Sequence, residues 1–93
     1  MVTIYHNLFR NYFSDLGFVM TEKEFLKGVG ASIAKIRRAK GLSQIDVCSK
    51  LNMEKSYLSA IENGHQNVTL ITCKQIADAL DVDIRELLVR TKD

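Results

Sequence analysis

The stretch Gln44–Gly64, QIDVCSKLNMEKSYLSAIENG, admits few folds. Val47, Cys48 and Leu51 stand at the i, i+1, i+4 spacing that gives a short helix one apolar face, and Leu58 and Ile61 do the same, three apart, for a second. Between them Asn52 takes the left-handed backbone of a sharp turn at lower cost than most residues. Met53 follows as an apolar plug under that turn. The outward residues of the second segment, Lys55, Ser56, Ser59, Ala60 and Asn63, are short, polar or cationic. They give the second helix an outward face with little to obstruct a surface laid against it.

Two helices crossing steeply, the second presenting such a face, make a helix-turn-helix that reads the DNA major groove. The segments IRRAKGLSQ (Ile36–Gln44), SYLSAIENG (Ser56–Gly64) and IADALDVDIRELL (Ile76–Leu88) resemble the Cro/phage-repressor (XRE) class of helix-turn-helix regulators. The chain is similar in particular to small restriction–modification controller proteins, where an ENGHQNVTL-like stretch joins the recognition helix to the next. The resemblance covers residues 28–89 and implies an all-α, lambda-repressor-like five-helix DNA-binding domain. Residues 1–27 are then an amphipathic extension and residues 90–93 a tail. Two positions depart from the family pattern: Asn52 replaces the usual turn glycine, and Glu54 replaces the usual serine or threonine cap.

Ninety-three residues suit one domain with a single core, and 46% apolar with 26% charged residues is ordinary for a soluble globular chain. No apolar run approaches the ~20 residues of a membrane span, and no basic region with a small-residue cleavage site opens the chain. A cytoplasmic location without membrane contact is expected. His6 and His65 lie far apart and offer no zinc spacing, so neither metal nor cofactor is expected. Cys48 and Cys73 fall on inward helix faces and read as small buried residues. Net charge is only +2, but residues 28–64 carry six basic groups (Lys35, Arg37, Arg38, Lys40, Lys50, Lys55) against three acidic ones. Positive charge therefore gathers around the proposed reading helix, as a phosphate-facing surface requires.

Along the chain, Tyr5, Leu8, Phe9, Tyr12, Phe13 and Leu16 repeat at three- and four-residue intervals, predicting an amphipathic helix that ends near Gly17. That stripe either folds onto its own domain or extends a dimer interface. Met20 offers an alternative translation start, which would make the segment dispensable. Thr21 and Glu24 form a capping box for a helix to about Lys40, with Phe25, Val29, Ile33 and Ile36 inward. Gly28 and Gly30 weaken the start of this helix and suggest a break, and Gly41 ends it. Ser43 caps the next helix, and Thr69 caps a fourth with Leu70, Cys73, Ile76, Ala77 and Leu80 inward. Asp83 and Glu86 open a short final helix with Ile84, Leu87 and Leu88.

By position in the resembling family, Lys55, Ser56, Ser59 and Ala60 face the bases. Lys55 suits guanine O6 and N7, the serines suit either base type, and the Ala60 methyl suits thymine. Lys55 reads equally as a solvated or phosphate-bound lysine. Glu54 is either a cytosine acceptor or a solvated carboxylate at a helix N-terminus. Phosphate contacts fall to Gln44 and Ser43 at a helix N-terminus, and to His65, Gln66 and Asn67 in the following loop. Tyr57 offers its hydroxyl or packs beside the turn, and Arg38, with Lys35 and Lys40, supplies general electrostatics. Arg37 and Glu62 match a structural ion pair that ties the first helix to the recognition helix.

One such domain touches too few bases to select among ~10⁶–10⁹ competing sites, so a homodimer on a palindromic operator is expected. Ile84, Leu87 and Leu88 are the expected interface. Repression is favoured over activation. The rival is an antitoxin or interaction module that neutralises a partner protein through the N-terminal aromatic stripe. No nucleophile–base set, paired carboxylates, glycine-rich phosphate loop or metal cluster points to an enzyme.

Overall fold

A computed structural model describes residues 20–88, and the expectations placed on residues 1–19 and 89–93 lie outside it. Four α-helices follow one another: α1 (Glu22–Ala39), α2 (Gln44–Leu51), α3 (Lys55–Glu62) and α4 (Leu70–Ala79). The short final helix is a single 3-10 turn, Ile84–Leu87, which closes the described chain. The expected Thr21/Glu24 and Asp83/Glu86 capping boxes are formed, the Ser43 cap closes into a third box with Asp46, and the Thr69 side chain accepts from the Thr72 N–H. Each start satisfies backbone donors that a helix leaves without partners.

Each α-helix also stops the same way, on a residue of positive φ: Gly41 (70°), Asn52 (53°), Gly64 (74°) and Asp81 (57°). After α1, the Gly41 N–H donates to the Arg38 carbonyl and the Leu42 N–H to Arg37, closing the last turn. The same paired bonds end α3 (Gly64 to Ile61, His65 to Ala60) and α4 (Asp81 to Asp78, Val82 to Ala77). At the α2 end the Met53 N–H donates to the Cys48 carbonyl, and the half-buried Met53 plugs the turn as expected.

The core joins all five elements. Ile33, Val47, Leu58, Ile76, Ala77 and Leu87 expose nothing, with Leu80 and Ile61 nearly as enclosed. Helix α1 packs on α3 and the 3-10 turn, α2 on α3 and α4, and α4 on the 3-10 turn. Cys48 and Cys73 are buried free thiols, and burial pushes both above their usual pKa, which leaves them unreactive core atoms.

Three expectations need correction. Phe25 and Leu70 are exposed (44% and 67%), although their spacing matches the inward faces of their helices. Each sits in the first turn of its helix, a turn ahead of the first buried residue on that face, Val29 or Cys73. Periodicity reports the phase of a face but not whether a partner lies against it. No break occurs near Gly28 and Gly30; α1 is continuous.

Gly30 has a different purpose. A Cβ there would stand 2.2 Å from the Ile61 carbonyl oxygen and 2.6 Å from that of Glu62, so α1 touches the backbone of the α3 C-terminus at this point. Gly64 meets α1 as well: beyond its positive φ, a Cβ would lie 2.7 Å from Lys27 Cα. Gly28 has open space around its Cβ position. We therefore expect opposite signs from two neighbouring substitutions. Gly28→Ala should stabilise by about 0.5–1 kcal/mol through helix propensity. Gly30→Ala should destabilise by at least ~1–3 kcal/mol, because backbone must move aside. Urea denaturation of both variants checks this.

Candidate nucleic-acid interface

Buried apolar residues hold α3 to the body. Leu58 and Ile61 (0% and 2% exposed) seat it, while Tyr57 is half-buried against the same cluster. At the other face Glu54, Lys55 and Ser56 are exposed, and Ser59 and Ala60 are half-buried. Among the described residues nothing covers this face. Glu54 occupies the N-cap with extended backbone, but its side chain makes no capping bond, so the carboxylate stays exposed ahead of the helix. Lys55 likewise has no hydrogen bond or ion pair among the described residues. Asn63 turns back, its amide donating to the Ser59 carbonyl at 2.8 Å, and serves to close α3.

The angle of α3 is set by one carboxylate. Glu62 Oε2 accepts from Arg37 Nε at 2.7 Å and Glu62 Oε1 from Arg37 Nη2 at 3.0 Å. The Arg37 Nη1 donates to the Leu42 carbonyl at 2.9 Å, in the segment between α1 and α2. Both side chains are almost enclosed (9% and 5% exposed), and hydrogen bonding to Glu62 raises the Arg37 pKa, so the guanidinium stays charged. The pair was expected from the family pattern. A further contact was not: Gln44 Nε2 donates to Glu62 Oε1 at 2.9 Å. No local spacing signals it, since the two residues stand on different helices.

The candidate phosphate residues fall on two segments. At the α2 start the Ser43 hydroxyl accepts from the Asp46 N–H, and the Ser43 N–H donates to Asp46 Oδ2 at 2.8 Å. The Gln44 and Ile45 N–H groups are left unpaired by this box. Beyond α3, His65 and Asn67 are exposed and Gln66 is half-buried. Arg38 is exposed without a partner among the described residues. Two of the six basic residues counted around α3 point elsewhere. Lys40 Nζ donates to the Asp81 carbonyl (3.4 Å) and Lys50 Nζ to that of Ala79 (3.3 Å), at the C-terminal end of α4, where positive charge is favourable. Arg37 is likewise committed to Glu62, while Arg38 and Lys55 stay exposed.

Of the expected dimer residues, Leu87 is fully buried within its own chain and is withdrawn from that role. Leu88 is exposed at 37% and Ile84 is half-buried against the core. No helix among the described residues is long and apolar enough to cross a membrane.

Comparison with known proteins agrees with this geometry. A helix-turn-helix family model matches residues 33–87. The HTH-type transcriptional regulator y4dJ of Sinorhizobium fredii is 40% identical over 67 residues, spanning 72% of this chain and 87% of that protein. The restriction–modification controller protein C.AhdI from Aeromonas hydrophila superimposes with a TM-score of 0.64 at 37% identity, over 67% of this chain and 94% of that one. The controller protein C.Esp1396I, solved as a tetramer with its natural 35-base-pair operator, aligns with a TM-score of 0.61 at 33% identity, over 69% and 95% of the two chains. The chain belongs to the helix-turn-helix family of XRE-type transcriptional regulators.

Two expectations follow from the site. Arg37→Ala leaves Glu62 enclosed without its cation and should cost ~3–5 kcal/mol of stability, a larger effect than any change in base preference. Equal melting temperatures would refute the assignment. Asp46 is held below the usual carboxylate range by the Ser43 N–H and then by the Ser43 side chain. Its contribution is therefore present above the unfolded pKa and lost as pH falls through the depressed folded value. Asp46→Ala should lower Tm at neutral pH, and the gap from wild type should close in acid.

Proposed function

We propose that this chain binds double-stranded DNA sequence-specifically through α3 and regulates transcription, with repression its main mode, as a homodimer on a palindromic operator. The observation that carries this reading is the division of α3: Leu58 and Ile61 anchor it in the core while Lys55 and Ser56 stand exposed at its first turn. That end of a recognition helix is the one pushed into the major groove. Lys55, Ser56, Ser59 and Ala60 read base edges, with Glu54 beside them as an acceptor for a cytosine amino group. Gln44, Ser43 and the Ile45 N–H hold one phosphate at the α2 N-terminus, and His65, Gln66 and Asn67 hold the backbone beyond α3. Tyr57 adds its hydroxyl and Arg38 its charge. The operator complex of the similar controller protein supports the same mode of use.

Two-fold pairing places two recognition helices about 34 Å apart, one turn of the duplex. Leu88 and Ile84 are the remaining interface residues from the final segment. Neither a cofactor nor a catalytic step enters this function, and its setting is the cytoplasm.

Selection of binding sites from random duplexes tests the whole reading. Recovery of a two-fold motif is the expected result, and absence of any enrichment would overturn it. On the selected site, Lys55→Ala should relax preference at one position per half-site, by ~1–3 kcal/mol of discrimination. Gln44→Ala should weaken binding by a similar factor on every sequence.

A further inference from the structure

We propose that Glu62 is a positioning residue for DNA binding, which orients the Gln44 amide as a phosphate donor and so links the backbone grip to the seat of the reading helix. The proposal rests on the phosphate role given to Gln44 above. An ionised carboxylate only accepts hydrogen bonds, so the end of the Gln44 amide that faces Glu62 Oε1 at 2.9 Å is its nitrogen. A phosphate is also an acceptor and needs that same nitrogen. Nε2 carries two protons, and Glu62 engages one; the other has no partner among the described residues, on a side chain that is half-buried. Glu62 thus selects the amide flip that DNA requires and restrains the side chain before DNA arrives.

The same carboxylate is fixed by two bonds from Arg37, whose third bond reaches the Leu42 carbonyl just ahead of α2. Arg37 also neutralises Glu62, so a negative charge behind the amide does not repel an incoming phosphate. Glu62 lies at the C-terminal end of α3 and Gln44 at the N-terminal end of α2. A displacement of α3 from its seat therefore moves the acceptor that holds Gln44, and the phosphate contact weakens with it.

The test is a double-mutant cycle in DNA affinity, using Gln44→Ala, Glu62→Gln and the double variant on a short duplex of arbitrary sequence at low salt. A phosphate contact needs no particular sequence, so no operator has to be known. Each variant is measured well below its melting temperature, with circular dichroism confirming the fold. Gln44→Ala should weaken binding about three- to tenfold, the scale of losing one ordered long side chain and its contact. In the Glu62→Gln background, Gln44→Ala should cost little more, because the amide is already unrestrained. Losses that simply multiply would overturn the proposal while leaving DNA binding intact. A wild-type protein that fails to bind the duplex would overturn both.

A second measurement needs no substitution at Glu62. In the free wild-type protein, side-chain NMR relaxation should show the Gln44 amide ordered, in contrast to the exposed Gln75. A Gln44 amide as mobile as that of Gln75 would overturn the proposal even if Glu62→Gln does not fold.

Discussion

The Glu62 carboxylate, almost enclosed at the end of α3, is the group on which the orientation of the site depends. Three N–H donors from two other helices meet it: Nε and Nη2 of Arg37 on α1, and Nε2 of Gln44 on α2. Enclosing an isolated carboxylate would be costly, and the paired guanidinium offsets that cost through good geometry rather than charge alone. A hydrophobic contact could hold α3 to the body as firmly, but it would tolerate sliding. Directed bonds fix an angle, and the base reading proposed for α3 needs that angle fixed.

Close backbone approach reinforces this ion pair. Gly30 admits the Ile61 and Glu62 carbonyls against α1, bringing the α3 C-terminus near enough for Arg37 to reach across. Gly64 then turns the chain away against Lys27. Glycine in the middle of α1 costs helix propensity, and the structure shows what that cost secures: a side chain at residue 30 would hold the two helices apart. With its C-terminal end held there and its inner face buried, α3 keeps Lys55 and Ser56 free at the other end.

Much of the fold was legible in the sequence because its determinants are local. Thr21/Glu24 and Asp83/Glu86 are four-residue motifs whose hydrogen bonds close within one turn, and the Ser43 cap is equally local. Asn52 and Gly41 stop their helices for reasons confined to their own backbone angles. The Arg37–Glu62 pair was reached only through family resemblance, since nothing local joins residues on separate helices. Local reasoning failed at Phe25 and Leu70, whose spacing is that of core residues, and at Leu87, which looked available to a partner but fills its own core. In each case the deciding fact was what lay opposite, and a single stretch of chain holds no record of that.

The sequence by itself therefore determined the caps that start α1, α2 and α4, the stops after α1 and α2, which face of α3 is apolar, and which family the chain resembles. Only the tertiary structure decided that Gly30 is a contact point rather than a weakness, that Lys40 and Lys50 turn to the end of α4, and that Gln44 shares the Glu62 carboxylate. The physical reason is range: caps and left-handed stops are settled by bonds between near neighbours. Close approach, burial and the sharing of one acceptor by two helices arise only when distant segments meet.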